Sequence, residues 1–128
     1  MYVRYVTNMK DEESKQRLGV FWSARKLEDR IAVEDLDRVE ELFAWFKKYL
    51  RIPKRFTGLK RRQAKKKAIC WFKDSSLHCL YRVKLLVAIL EKNGITTAKF
   101  VTRKPGYVVY EDPQQVAAIP FRDTFEEE

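Results

Sequence analysis

The sequence predicts an α+β fold: a mainly antiparallel sheet with a C-terminal three-strand meander, and about three helices packed on one of its faces. Three observations lead there. Apolar residues recur at helical spacing between residues 20 and 50 and again between 77 and 93, the period changes to two after Gly94, and turn dipeptides divide the C-terminal region into short strands. The chain has 128 residues, 45% of them apolar, which suits one sizeable core. A single domain is therefore expected over residues 1–125, with the acidic residues 126–128 as a disordered tail.

Residues 2–6 alternate around Val3 and Tyr5 and read as a short strand, and the polar residues 8–17 read as loop. Val20, Ala24, Leu27 and Ile31 share a helical face, and Leu36, Val39, Phe43, Phe46 and Leu50 repeat the spacing, so two helices, or one broken near Ile31, are expected. The second starts with Glu34, Asp35 and Asp37 and ends with Lys47, Lys48 and Arg51, each sign where the helix dipole favours it, before Pro53 stops it. Residues 54–67 read as a basic loop or linker inside the domain. Residues 68–72, Ala-Ile-Cys-Trp-Phe, are short, apolar and bounded by charge, the pattern of a buried strand. Asp74 or Ser75 is placed to cap a helix that runs to about Asn93 and stops at Gly94. Thr96, Ala98, Phe100 and Thr102 then alternate, Lys104-Pro105-Gly106 forms a turn into residues 107–110, and Asp112-Pro113 turns into residues 116–119. The strand over 116–119 is also a candidate exposed edge, open to a second copy; the oligomeric state is left open.

No stretch has the apolar length of a membrane span and neither end carries a secretory pattern, so a cytoplasmic protein that does not enter membranes is expected. Cys70 and Cys79 form no CxxC pair, and with His78 as the single histidine they cannot complete a zinc site from Cys and His alone. Both are read as reduced and buried.

The formal charge of +9 is local. Residues 42–73 hold twelve basic side chains (Lys47, Lys48, Arg51, Lys54, Arg55, Lys60, Arg61, Arg62, Lys65, Lys66, Lys67 and Lys73) and no acidic one, while the rest of the chain is slightly acidic. A single-sign block repels itself and is characteristic of a surface for an anionic partner. Lys and Arg neutralise phosphates, and aromatic rings at Tyr49, Phe56, Trp71 and Phe72 punctuate the block where bases could stack. Trp71 and Phe72 fit a core strand better than a stacking surface, and Tyr49 fits a helix face. These features together suggest a nucleic-acid-binding accessory protein without catalysis. Lys54, Arg55, Lys60, Arg61, Arg62, Lys65, Lys66 and Lys67 are expected to contact the RNA or DNA backbone, and the Arg103-Lys104 turn to add a second contact.

Two alternatives stay open. A metal-independent, toxin-like ribonuclease would use His78, Arg82, Lys73 and Tyr110 around a scissile phosphate, since His78 and Arg82 lie one helical turn apart and charge stabilisation does not require a histidine pair. A subunit or inhibitor would dock the same charge on an acidic protein surface. Glu111, Asp112 and Asp74 are the carboxylates that could gather a divalent ion, but their spacing is not diagnostic and Asp112-Pro113 serves a turn. No metal and no cofactor are expected, and no nucleotide-loop, nucleophile-elbow or metalloprotease pattern is present.

Two segments carry a resemblance: Trp71-Phe72-Lys73-Asp74-Ser75 with His78 and Arg82, and residues 103–112, Arg-Lys-Pro-Gly-Tyr-Val-Val-Tyr-Glu-Asp, with Gln115-Val116 and Pro120-Phe121. The chain resembles a family of small uncharacterised bacterial proteins, and the likeness extends weakly to Gly19-Val20-Phe21 and the Trp45-Phe46 helix. It implies a bacterial single-domain protein and, as no activity is assigned to that family, no catalytic residues. The similar proteins tend to carry Arg directly before Pro-Gly-Tyr, where this chain has Lys104.

Overall fold

A computed structural model describes residues 1–11, 16–52 and 68–121. The elements are, in chain order, β1 (Tyr2–Lys10), β2 (Arg17–Gly19), α1 (Val20–Lys26), a 3₁₀ turn (Glu28–Arg30), α2 (Val33–Tyr49), β3 (Ile69–Lys73), α3 (Leu77–Lys92), β4 (Thr97–Thr102), β5 (Tyr107–Glu111) and β6 (Gln115–Ile119). The class is the expected α+β. The six strands form one sheet in the order β2-β1-β3-β6-β5, with β4 pairing β1 off that path.

The helical region breaks where the spacing indicated. α1 closes with the Leu27 amide donating to the Ser23 carbonyl at 2.9 Å, the 3₁₀ turn comes next, and Ile31 is extended (φ −92°, ψ 130°) and buried. α2 buries Asp35, Val39, Leu42 and Phe46, a stripe with the 3- and 4-residue steps of one helix face. α3 starts at Leu77, so Ser76 and not the expected Asp74 or Ser75 stands directly before it, and it buries Cys79, Val83, Leu86, Ile89 and Leu90. It ends at Gly94, whose φ is +81°. The Gly94 amide donates to the Glu91 carbonyl at 3.0 Å and the Ile95 amide to the Leu90 carbonyl at 3.0 Å, so the helix closes in a Schellman motif with buried Ile95 beside its own acceptor.

Two strand assignments change. β1 continues to Lys10 instead of stopping at Val6, and the region expected as loop contains β2, paired through Val6 with Gly19 and Lys10 with Arg17. Polar groups hold this extension. The Thr7 hydroxyl lies 2.6 Å from the Ser23 hydroxyl in a buried contact, and Arg17 donates Nε to the Thr7 carbonyl at 3.0 Å and Nη2 to Asn8 Oδ1 at 2.9 Å. Apolar alternation has no means of registering such a strand. The proposed free edge at residues 116–119 is also overturned: β6 lies between β3 and β5, with Gln115 to Ala118 all buried.

β3 pairs antiparallel with β6 from Ile69 opposite Ala118 to Phe72 opposite Gln115, and with the start of β1 through Val3 opposite Phe72. β5 and β6 form an antiparallel hairpin with a bulge between Val108 and Tyr110. The turn at residues 104–106 leads from β4 to β5 as expected, and β4 takes β1 as its partner.

By its contacts the chain divides into two compact units, Met1–Arg4, Ile52–Leu77 and Phe100–Glu128 forming one and Tyr5–Arg51 with His78–Lys99 the other. In the first, Trp71, Phe72, Val109 and Val116 are buried, and in the second, Val6, Val20, Val39, Phe46, Val83, Leu86 and Leu90. Among the described residues, no helix is long and apolar enough to cross a membrane. The basic segment 54–67 and the acidic residues 126–128 lie outside the described residues.

Candidate functional site

α2 and α3 run antiparallel, as two contacts ten residues apart on each helix establish. Near the start of α2, Asp35 accepts from Lys92 Nζ at 3.1 Å and from Asn93 Nδ2 at 3.0 Å. Near its end, the Arg82 guanidinium carbon lies 3.9 Å from the centroid of the Trp45 ring. All acidic residues of α2 precede Leu42, and α3 has none before Glu91. The antiparallel register therefore sets two acid-free helix halves side by side: the close of α2, with Lys47 and Lys48 and with Arg51 two residues past its end, and the first half of α3, with His78, Arg82 and Lys84.

Aromatic rings and cations interleave at this end. Arg82 lies 5.9 Å from the Tyr81 ring as well as over Trp45, and Trp45 meets the Tyr49 ring at 5.0 Å and 35°. The Lys48 ammonium lies 5.3 Å from the Tyr49 ring. Each cation-ring contact is attractive because the ring face is the negative lobe of its quadrupole. Arg82 also donates Nη1 to the His78 carbonyl at 3.2 Å. The platform is anchored inward: Trp45 packs edge-on to buried Phe46 at 5.1 Å, and Phe46 edge-on to Phe21 at 4.8 Å. Tyr49 is 56% and Tyr81 62% exposed, so both rings face solvent.

The acidic start of α2 does not neutralise this end. Glu40 pairs with Arg25 at 2.5 Å, Asp35 pairs with Lys92, and Lys47 and Lys48 have no ion-pair partner among the described residues. Arg25, in turn, stacks over Phe43 at 4.2 Å.

Of the expected backbone contacts, Lys54, Arg55, Lys60, Arg61, Arg62, Lys65, Lys66 and Lys67, together with Phe56, lie outside the described residues. Arg103 and Lys104 are exposed on their turn, where the Lys104 amide donates to Thr102 Oγ1 at 3.0 Å. Trp71 and Phe72 are core residues, as strand placement requires, whereas Tyr49 proves to be surface. Cys79 is buried; Cys70, expected to be buried, is exposed, although the next two residues of its strand, Trp71 and Phe72, are both buried.

The four residues of the ribonuclease alternative divide between the two units. His78 and Arg82 are one turn apart on α3, as their spacing implied. In the other unit Lys73 pairs with Glu111 at 2.5 Å, and the Tyr110 hydroxyl donates to Asp112 Oδ2 at 2.7 Å. The carboxylates weighed as metal ligands are each engaged. Asp74 lies 3.3 Å from the Met1 amino group, and Glu111 holds Lys73. Asp112 accepts the amides of Gln114 at 2.8 Å and Gln115 at 3.1 Å besides the Tyr110 hydroxyl. Among the described residues no group of three or more His, Cys, Asp and Glu side chains is placed to hold a metal ion. In the same unit Arg4 is desolvated enough to lower its pKa to about 10, with Cys70 opposing the shift, and it is still a cation at neutral pH.

Trp45, Tyr81 and the stack on Arg82 escaped sequence reasoning. One signal was present: Trp45 and Tyr49 are four residues apart and fall off the buried stripe of α2, next to three cations. Comparison with protein-family models, with curated proteins and with solved structures found no match. The family resemblance therefore rests on the residues that carry it.

Proposed function

We propose that the protein binds nucleic acid through its sugar-phosphate backbone, without catalysis, at the acid-free end of the α2-α3 pair. The observation that carries the reading is the antiparallel register. It sets Arg82 over Trp45, which stands in the same acid-free stretch of sequence that carries Lys47, Lys48 and Arg51. A guanidinium held over an indole face keeps several N–H donors at its rim, and these are the groups that engage phosphate oxygens. The N-terminal dipole of α3 and the C-terminal dipole of α2 oppose each other at this end, so the positive potential comes from the side chains. The basic residues 54–67 come directly after α2 in sequence and continue the charge along the chain. Backbone contact of this kind supplies affinity and leaves sequence choice to other groups.

The test is binding of labelled RNA and DNA by fluorescence anisotropy across a salt series. The expected outcome is affinity that falls log-linearly with salt, with a slope of about −0.9 per phosphate engaged on duplex DNA. Lys47→Glu with Lys48→Glu should weaken binding and flatten that slope. Lys26→Glu with Lys99→Glu, an equal charge change outside the helix pair, should have a smaller effect. Undetectable binding at low salt refutes the reading and transfers the charge to an acidic protein partner. Strand cleavage abolished by His78→Ala would instead establish the ribonuclease alternative.

A further inference from the structure

We infer that the nucleic acid taken at this site is a single strand, whose bases stack on Tyr49 and Tyr81; the inference rests on the nucleic-acid reading above and narrows it. Phosphate contact needs only cations, which the acid-free helix halves already supply. It gives no role to Tyr49 and Tyr81, residues that are 56% and 62% exposed. In a duplex the base faces are stacked on one another and only their edges reach the grooves, where polar side chains read them. An exposed ring face finds its complement in an unpaired base, and stacking on aromatic side chains beside cations is how sequence-tolerant single-strand surfaces work.

The geometry suits that use. Tyr81 and Tyr49 stand at the two ends of one run of contacts, Tyr81 to Arg82 at 5.9 Å, Arg82 to Trp45 at 3.9 Å and Trp45 to Tyr49 at 5.0 Å. Each terminal ring has a cation beside it, Arg82 for Tyr81 and Lys48 for Tyr49, so a base on the ring leaves its phosphate near a positive charge. Trp45 is fixed from below by its edge contact with buried Phe46, which holds the Tyr49 ring in place before any ligand arrives. A preformed platform reduces the entropy lost on binding. The surface presents rings and cations without a row of amide side chains, so it favours single strands over duplexes and discriminates weakly among sequences.

The experiment compares labelled oligo(U) and oligo(dT) with a duplex of the same length, at fixed low salt, for the intact chain. Single strands should bind more tightly than the duplex. Tyr49→Ala and Tyr81→Ala should each weaken single-strand binding by roughly tenfold, Tyr49→Phe and Tyr81→Phe should restore it to within about twofold, and duplex binding should not respond to any of the four. Circular dichroism of the alanine variants checks that these exposed substitutions leave the fold intact. If the duplex binds as tightly as the single strands, or if alanine at both positions leaves single-strand affinity unchanged, the inference is wrong while the backbone-binding reading survives through its lysine variants. If no oligonucleotide binds, both fall together.

Discussion

Asn93 Nδ2 donates to Asp35 Oδ2 at 3.0 Å, joining the residue just past α3 to the first turn of α2. The other end of the same amide accepts the Ala32 backbone N–H at 2.8 Å. Ala32 is the N-cap of α2 and has no side chain able to cap, so the function of a capping residue is supplied from a distant helix end.

Asn93→Ala should accordingly destabilise the fold by about 1–3 kcal/mol, since it removes a cap and leaves the Ala32 amide without its acceptor. Asn93→Asp should cost more, because it sets a second carboxylate against Asp35. Urea denaturation followed by circular dichroism measures both, and an Asn93→Ala midpoint equal to wild type would refute this account.

The two left-handed glycines should respond differently to alanine. Gly106 has φ +129°, and a Cβ there would lie 2.0 Å from the Ile119 carbonyl oxygen, so the end of β6 must move. Gly94 has φ +81° with open space around the added carbon. Gly94→Ala should cost roughly 1–2 kcal/mol from backbone conformation alone, and Gly106→Ala more than that. Equal losses in thermal melts would mean that the close approach at Ile119 does not constrain the turn.

Acid should destabilise the protein through three carboxylates. Hydrogen bonds from Asn93 and then Lys92 hold Asp35 below the ordinary carboxylate value, and the Arg25 hydrogen bond does the same for Glu40. Burial pushes Asp112 up, but donors from Tyr110, Gln114 and Gln115 outweigh it and leave its pKa lowered. Folded pKa values below the unfolded ones, which lie near about 4, make this stability fully present above that pH. It is lost as pH falls through the lowered values. The melting temperature should be level near neutrality and drop in this acidic window. Glu40→Gln should make the drop shallower, and a flat profile down through the window contradicts the assignment.

The two thiols should separate chemically. Cys70 is exposed and Cys79 buried within α3, so a thiol reagent should modify one cysteine in the native protein and the second only after unfolding. Surrounding protein raises the Cys70 pKa, with Arg4 partly opposing, so little thiolate forms at neutral pH and the native reaction should be slow. Two thiols reacting together without denaturant would contradict the placement of Cys79.

What could be read from the chain alone was the set of features whose cause is local. Helical spacing in α2 and α3, the break before Ile31, the left-handed stop at Gly94 and the strand at Trp71 all arise from neighbours within a few residues. So does the concentration of positive charge after Leu42. Tertiary structure decided what meets what. Periodicity places β4 but cannot choose β1 as its partner, and a strand held by Thr7, Ser23 and Arg17 has no apolar alternation to reveal it. The same limit applies to the site. Sequence located half of the basic surface in residues 42–51, but Arg82 joins Trp45 only because the two helices pack antiparallel, in the register that also brings Lys92 and Asn93 to Asp35 ten residues away. Local preference acts along the chain, whereas register is a property of packed surfaces, which exist only once the helices have met.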